Sequence, residues 1–508
     1  MNTPYYLKVG RASDLKDKKE RIIYRFFEIL PGAISWFTIF LAILLSWLRP
    51  VWISISIIAF VIYWMFRTIY FSFHLRASFQ QMKKNEKIDW LEKIKSFPKQ
   101  KEIYHLVVLP MYKESGKILK EALRSLISSD WPKEKMLIVL TCEEGGNKTA
   151  AIEAEKEFSD KFFRFLLTFH PQNLPDEILG KGANESWGTK KAKDLIIDPL
   201  SIPYENIIVS SFDADTCVFP KYFSCLTYYY LFQKNPTRCS FQPVPLFVNN
   251  IWQAPPISRI FAFSATFWQM MCQERPEKLI TFSSHSMSFR ALVDVGFRQA
   301  NAVSDDSRIF WQCFLYYDGD YKVVPLYYPI AMDANAASSF FRTMKNVYKQ
   351  QRRWAYGAGD VPYFLFGFLK NPKIPFLKKF SLGFNIFEGH WSWATNSILI
   401  FLLGWLPLWL GSKEFGQSLL AYNLPSFVSR VLTIGMLGLI GSVYFSVLLL
   451  PPRPFGLGKK KYLFFILEWF LLPLIMIFFT SLPALEAQTR LMLGKYMGFW
   501  PTEKFRKK

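Results

Sequence analysis

The chain has 508 residues, of which 51% are hydrophobic, 18% aromatic and 20% charged, and 62 Lys and Arg against 40 Asp and Glu give a formal charge of +22. This balance excludes a disordered chain, a collagen-like chain and a small disulfide-stapled module. A basic surplus of this size points to nucleic acid, anionic lipid or an anionic substrate, and the clustering of the apolar residues argues against nucleic acid.

Residues 1–26 read as a polar cytoplasmic tail carrying Lys8, Arg11, Lys16, Lys18, Lys19, Arg21 and Arg25. Residues 27–72 read as a transmembrane helical hairpin, 27–48 and 51–70, turning at Arg49-Pro50. At about 1.5 Å of rise per residue, each arm approaches the roughly 30 Å of a hydrocarbon core. A cleaved leader is not expected, because a polar stretch precedes the first apolar run and a second run follows at once. Residues 73–100 form a basic linker with Arg76, Lys83, Lys84, Lys87, Lys93, Lys95 and Lys99. Basic flanks on both sides of the hairpin predict that both, and the domain that follows, face the cytoplasm.

Residues 101–356 alternate short apolar runs with amphipathic stretches. Strands are expected at 103–109, 136–140, 162–168 and 207–211, and helices at 117–128 and 148–158. This alternation predicts an α/β domain with a mixed, mainly parallel sheet and helices on both faces. Ligands of such sheets sit beyond the carboxyl ends of the strands, where this chain places its polar residues. The first strand runs into Pro110, Tyr112 and Glu114. The second ends at Glu143-Glu144, two carboxylates able to accept from a base or ribose, or an ordinary polar loop. The fourth ends at Asp213-Ala214-Asp215. Two carboxylates at i and i+2 can share a hard divalent cation with a diphosphate; the alternative is a solvated acidic turn. Asp305-Asp306 can supply a general base or cap the helix that follows.

Lys181 lies between two glycines in Gly180-Lys181-Gly182-Ala183-Asn184. No phosphate-binding P-loop and no G-x-G-x-x-G after a strand is present. Six cysteines show no C-x-x-C spacing, so free thiols are expected, and a zinc site is not. Gln350-Gln351-Arg352-Arg353-Trp354 closes an expected helix at 336–355. Its arginines suit a diphosphate or anionic headgroups, and its indole suits a sugar face. Arg290 is a further basic candidate, and Trp252, Trp268 and Trp311 are candidates for a sugar site or interface anchors.

Residues 357–385 mix aromatic residues with lysines and predict an interfacial amphipathic segment. Residues 386–485 contain three uncharged runs, 391–411, 431–452 and 469–485, which predict about three spans and five in all. Four spans with a bent or re-entrant last piece, holding Glu468, Pro473 and Pro483, is the rival. The loop with Arg453, Lys459, Lys460 and Lys461 fits the inside. Residues 486–508 are a basic tail with Lys504, Arg506, Lys507 and Lys508, whose position after a fifth span conflicts with the charge bias.

Taken together, these motifs resemble the membrane-embedded, inverting family-2 glycosyltransferases, in particular the cellulose, hyaluronan and chitin synthase group. Pro110-x-Tyr112-Lys113-Glu114 is similar to the family's P-x-Y-N-E, Gly180–Asn184 to its G-K-x-x-N, Asp213-x-Asp215 to its D-x-D, Ser304-Asp305-Asp306 to its T-E-D, and Gln350-x-x-Arg353-Trp354 to its Q-x-x-R-W. The resemblance implies a GT-A type nucleotide-sugar domain at 101–356. It implies a donor site of Pro110, Tyr112, Glu114, Glu143 or Glu144, Lys181, Asp213, Gln350, Arg353 and Trp354. It further implies Asp306 as general base beside Asp305, with Arg353 assisting. Mg²⁺ or Mn²⁺ would be held mainly by Asp215 with Asp213. Ser284–Arg290 resembles the stretch beneath the acceptor, with His285 as a departure. The expected partners are a nucleotide-sugar donor, commonly UDP-linked, a glycan or lipid-linked acceptor, membrane lipids and possible partner subunits. The implied setting is the plasma membrane, with the catalytic domain cytoplasmic. The expected reaction extends a polysaccharide; a single transfer to a lipid-linked acceptor is the alternative.

Overall fold

The computed structural model describes residues 3–401, 403–456, 458, 460–503 and 505–506. Lys459, Lys504, Lys507 and Lys508, named above in the basic loop and tail, lie outside the described residues.

Eight strands form one sheet: β1 Tyr104–Met111, β2 Met136–Glu143, β3 Arg164–His170, β4 Ile207–Ser211, β5 Cys217–Val218, β6 Cys239–Leu246, β7 His285–Ser288 and β8 Lys322–Ala331. Their order is β3-β2-β1-β4-β7-β6-β8-β5. β1 to β4 run parallel to one another and β6 parallel to β8, while β7 is antiparallel to both its neighbours and β5 to β8. The sheet is therefore mixed and mainly parallel, as expected. β1 and β2 are nearly continuous apolar runs because both faces are covered. Val107, Leu109, Ile138 and Leu140 pack into one core, and Leu106, Val108, Leu137 and Val139 into the other. The helix Gly116–Ile127 covers one face with Ile118, Leu119, Ala122, Leu123 and Leu126. Full burial of one such leucine contributes about 2 kcal/mol.

The helix Phe340–Ala355 starts later than expected, because Ser339 Oγ accepts from Arg342 N–H and caps it there. The expected interfacial segment divides in two. In the helix Asp360–Lys370, Val361, Tyr363, Phe364, Phe366 and Phe368 are buried, not surface anchors. Phe364 stacks on Trp311 with ring centroids 4.4 Å apart, and Asp360 pairs with buried Arg308 at 2.7 Å. The chain breaks at Pro372 and Pro375, which cannot continue a helix. Only then does an exposed ladder appear, Phe376, Phe380 and Phe384, stacked ring on ring along the helix Phe376–Phe401.

Among the described residues, four helices are long and apolar enough to cross a membrane by length and composition: Lys18–Leu48, Pro50–Lys87, Leu419–Leu448 and Lys460–Met492. Five were expected. The expected run 391–411 is not among them; it falls in the helix Phe376–Phe401, which carries Lys378, Lys379 and Glu388, and in the short helix Leu406–Leu410. Gly411 lies at the turn of the hairpin, where a Cβ on it would come within 3.2 Å of Pro50. Arg67 of the hairpin pairs with Glu388 at 2.5 Å.

Lys460–Met492 is bent by Pro473, by a π-helical turn at Met476–Ser481 and by Pro483. Both its ends meet the α/β domain. Glu468 pairs with Arg259 of the helix Pro256–Gln273. Glu486 accepts from Arg352 Nη1 at 2.6 Å and from Tyr348 Oη at 2.9 Å. The chain then turns at Gly494, in the left-handed region at φ +69°, and crosses back over the domain. Arg506 there pairs with Asp333 at 2.6 Å and with Glu121.

Candidate active site

A cavity of about 1030 Å³ opens at the carboxyl ends of β1, β2 and β4 and extends between the helices Pro50–Lys87, Pro256–Gln273, Phe376–Phe401 and the Leu472–Ile475 turn. Pro110, Tyr112 and Glu114 line it from the end of β1, Glu143 from β2 and Asp213 from the turn after β4. Lys181, Asp305, Asp306, Gln350, Arg353 and Trp354 complete the polar end. The parallel register explains the convergence, since it brings the ends of neighbouring strands together from distant parts of the chain.

Lys181 is the hub. Its Nζ lies 2.7 Å from Asp213 Oδ1, and 2.9 and 3.1 Å from the two Asp306 oxygens. Burial works against its charge, but Asp213, Asp306 and Glu185 raise its pKa well above the ordinary lysine value. Burial pushes Asp306 up, and Lys181 and Arg298 more than offset that, so its carboxyl is held below the ordinary value. Asp305 is pushed up to about 6 by burial and by its neighbour Asp306. Both aspartates occupy the first turn of the helix Asp305–Tyr316, where the helix dipole favours negative charge. Gly182 makes the approach possible: a Cβ on it would lie 2.6 Å from Asp305 Cβ.

Arg353 is half-buried at the cavity wall, and its Nε is buried with no hydrogen-bond partner among the described residues. Burial lowers its pKa against the pull of Asp305, Asp213 and Asp306. The ring of Phe499, from the C-terminal segment, lies 4.7 Å from its guanidinium carbon. A half-buried guanidinium of this kind is ready for an anion. Arg352 points away, to Glu486.

Of the D-x-D pair, Asp213 faces the cavity and accepts from Ser283 Oγ at 2.9 Å. Asp215, expected to be the main metal ligand, is fully buried and accepts from Asp333 N–H at 3.0 Å. Among the described residues, no group of three His, Cys, Asp or Glu side chains forms a cation cage. The carboxylate at Asp213 suits a hard cation shared with a ligand's phosphate oxygens, the usual mode for Mg²⁺; it does not form a pre-built metal site.

Of the paired glutamates, Glu143 is buried and lines the cavity, whereas Glu144 is exposed and accepts from Gln172 N–H. His285 is fully buried in β7. Its Nδ1–H donates to Phe282 O at 2.8 Å and its Nε2 accepts from Arg298. Burial and Arg298 push its pKa down to about 3, and with both ring nitrogens engaged it packs in the sheet and does not line the cavity. Arg290 pairs with Asp294 on the surface. Trp252 is buried in the core, Trp311 is buried and borders the cavity, and Trp268 lines it.

Several contributors were not read from the sequence. Arg298 and Glu185 form a buried ion pair at 2.9 Å beneath Asp306. His170 and Glu177 stand behind Glu143. The C-terminal segment supplies Phe499, Pro501 and Thr502 to the wall.

No family model and no curated protein matches the chain. Among solved structures, a mannosyltransferase from Pyrobaculum calidifontis in complex with GDP-Man and Mn²⁺ is 14% identical. The match covers 77% of this chain and 99% of that one with a TM-score of 0.42. S. aureus TarS 1–349 in complex with UDP is 12% identical, with 78% and 93% covered and a TM-score of 0.37. Likenesses at this level carry nothing about the fold or activity of this chain.

Proposed function

We propose that the chain is a membrane-bound, inverting glycosyltransferase with a GT-A type domain, which moves a sugar from a nucleotide-sugar donor, UDP-linked in the first instance, to a growing polysaccharide. The observation that carries this reading is the meeting of Arg353 and Lys181 with Asp213 and Asp306 in one cavity that Glu143 also lines. The two cations suit a diphosphate, Asp213 suits a divalent cation, Glu143 suits a nucleobase, and Asp306 suits a hydroxyl proton.

In this reading Asp306 takes the proton of an acceptor hydroxyl as that oxygen attacks the anomeric carbon. Its ionised state, favoured by Lys181 and Arg298, is the state a base requires. Arg353 and Lys181 offset the charge that gathers on the leaving diphosphate. Asp213 would hold Mg²⁺ or Mn²⁺ against the same oxygens; the ion supplies further positive charge there. Gln350 and Trp354 contact a sugar, and Phe499 excludes water above Arg353. Single displacement inverts the anomeric centre.

A second reading, one transfer to a lipid-linked acceptor, is favoured by the apolar part of the cavity, where Phe261, Ile400, Phe401, Ile475 and Met476 line the helices. Turnover of a panel of UDP- and GDP-sugars by the purified chain in lipid, with product length read in the same assay, decides. A polymer supports the first reading, a product with one added sugar the second, and no donor turnover with either metal defeats both.

A further inference from the structure

We infer that His170 and Glu177 are positioning residues that fix the Glu143 carboxylate as a selective acceptor for a nucleobase carrying a ring N–H. The inference rests on the nucleotide-sugar reading above. β2 and β3 end side by side, so Glu143 and His170 are Cα partners in the parallel register. His170 Nδ1 lies 3.0 Å from Glu143 Oε2, and Nε2 lies 3.0 Å from Glu177 Oε2. Each ring nitrogen thus faces a carboxylate oxygen; burial lowers the His170 pKa, but the two carboxylates more than offset that and favour a proton on each nitrogen. His170 is 1% exposed, and Trp187 of the helix Lys181–Ala192 packs on it with centroids 5.7 Å apart. The ring is thus held from three sides.

The consequence falls on Glu143. Its Oε2 is engaged by His170, while Oε1 is buried with no hydrogen-bond partner among the described residues. The residue lines the cavity. A buried acceptor left unpaired is costly, and a ligand donor relieves that cost. Uracil and guanine each present a ring N–H. Cytosine and adenine present a bare ring nitrogen, whose lone pair would face the carboxylate. Without the His170 clamp the carboxylate is free to rotate and present its edge to an exocyclic amino group, and the discrimination is lost.

Binding of UDP, GDP, CDP and ADP to the purified full chain tests this. The wild type is expected to prefer UDP or GDP over both CDP and ADP by at least about ten-fold, the scale of one charged hydrogen bond. His170→Ala and Glu177→Gln should each reduce that ratio, and His170→Gln, which keeps one donor, should be intermediate. A wild type that does not discriminate, or variants that weaken all four nucleotides equally, overturns the role of His170 and leaves the glycosyltransferase reading standing. Binding of none of the four overturns both. Should His170→Ala fail to fold, Glu177→Gln, at a half-buried position, decides alone.

Discussion

Lys181 holds Asp306 with both carboxylate oxygens, at 2.9 and 3.1 Å, while the same ammonium touches Asp213 at 2.7 Å. The residue read as base and the residue read as phosphate-side carboxylate therefore share one cation. Asp306→Asn keeps the shape and removes the proton acceptor. Transfer should fall about a thousand-fold, with nucleotide binding largely retained. Turnover and nucleoside diphosphate affinity measured on the same preparation check this; near-normal turnover would falsify the assignment.

Arg353→Ala should weaken nucleoside diphosphate binding by roughly ten- to a hundred-fold, the loss of one charged hydrogen-bonding partner. Arg353→Lys restores the charge and not the planar fork, so it should recover only part. Titration calorimetry separates the two, and an unchanged affinity in the alanine variant would remove Arg353 from the donor site.

Gly182→Ala places a methyl group 2.6 Å from Asp305 Cβ. The helix Asp305–Tyr316 must shift to admit it, at about 1–3 kcal/mol. A lowered melting temperature together with lost transfer is expected. A variant that melts and turns over like the wild type would mean that this contact does not position the base.

Arg506→Ala strips the partner from Asp333, which is 1% exposed and whose N–H holds the Asp215 carboxylate. A loss of about 3 kcal/mol in stability follows from leaving a buried charge uncompensated. Adding Asp333→Asn should restore part of it, so the double variant costs less than the sum of the two. Additive losses would show that the pair is not coupled.

Burial lowers the His170 pKa, and Glu143 and Glu177 more than offset that, raising it above the ordinary 6.5. The facing groups are Glu143 from β2 and Glu177 from the loop after β3; Trp187, from the helix Lys181–Ala192, is uncharged. A group whose folded pKa is raised stabilises fully below its unfolded value and loses that contribution as pH rises through the folded one. Stability and UDP affinity should therefore both decline as pH climbs above 6.5, and His170→Gln should flatten both profiles. A decline that persists in His170→Gln assigns it to another group.

The first four strands were legible because they are apolar runs that end in turn residues. The other half of the sheet was not. β6 and β8 contain Pro243, Pro245, Pro325 and Pro329, and proline argues against an interior strand; here the register shifts between Gln242 and Val244. β7 is His-Ser-Met-Ser, polar in composition yet fully buried, because its hydroxyls pair across the sheet, as Ser286 does with Ser210 at 2.7 Å. The motif residues at strand ends were legible one by one. Their exposure was not, since Asp213 and Asp215, or Glu143 and Glu144, differ only in which way the chain turns. His170 carries no local signal: its meaning lies in a neighbour 27 positions away that only the strand register supplies.

The bent segment Lys460–Met492 is held to the α/β domain along its length. It is anchored there through Glu468 and again, eighteen positions on, through Glu486. The hairpin does the same: Glu20 reaches Lys370 at its start and Asn85 reaches Leu326 O at its end, while Pro50 marks the opposite pole beside Gly411. The hairpin and the bent segment are thus each tied to the α/β domain at two points far apart in sequence. Reagents that cannot cross the bilayer should label a cysteine introduced at Gly411 from one side and one introduced at Gly498 from the other.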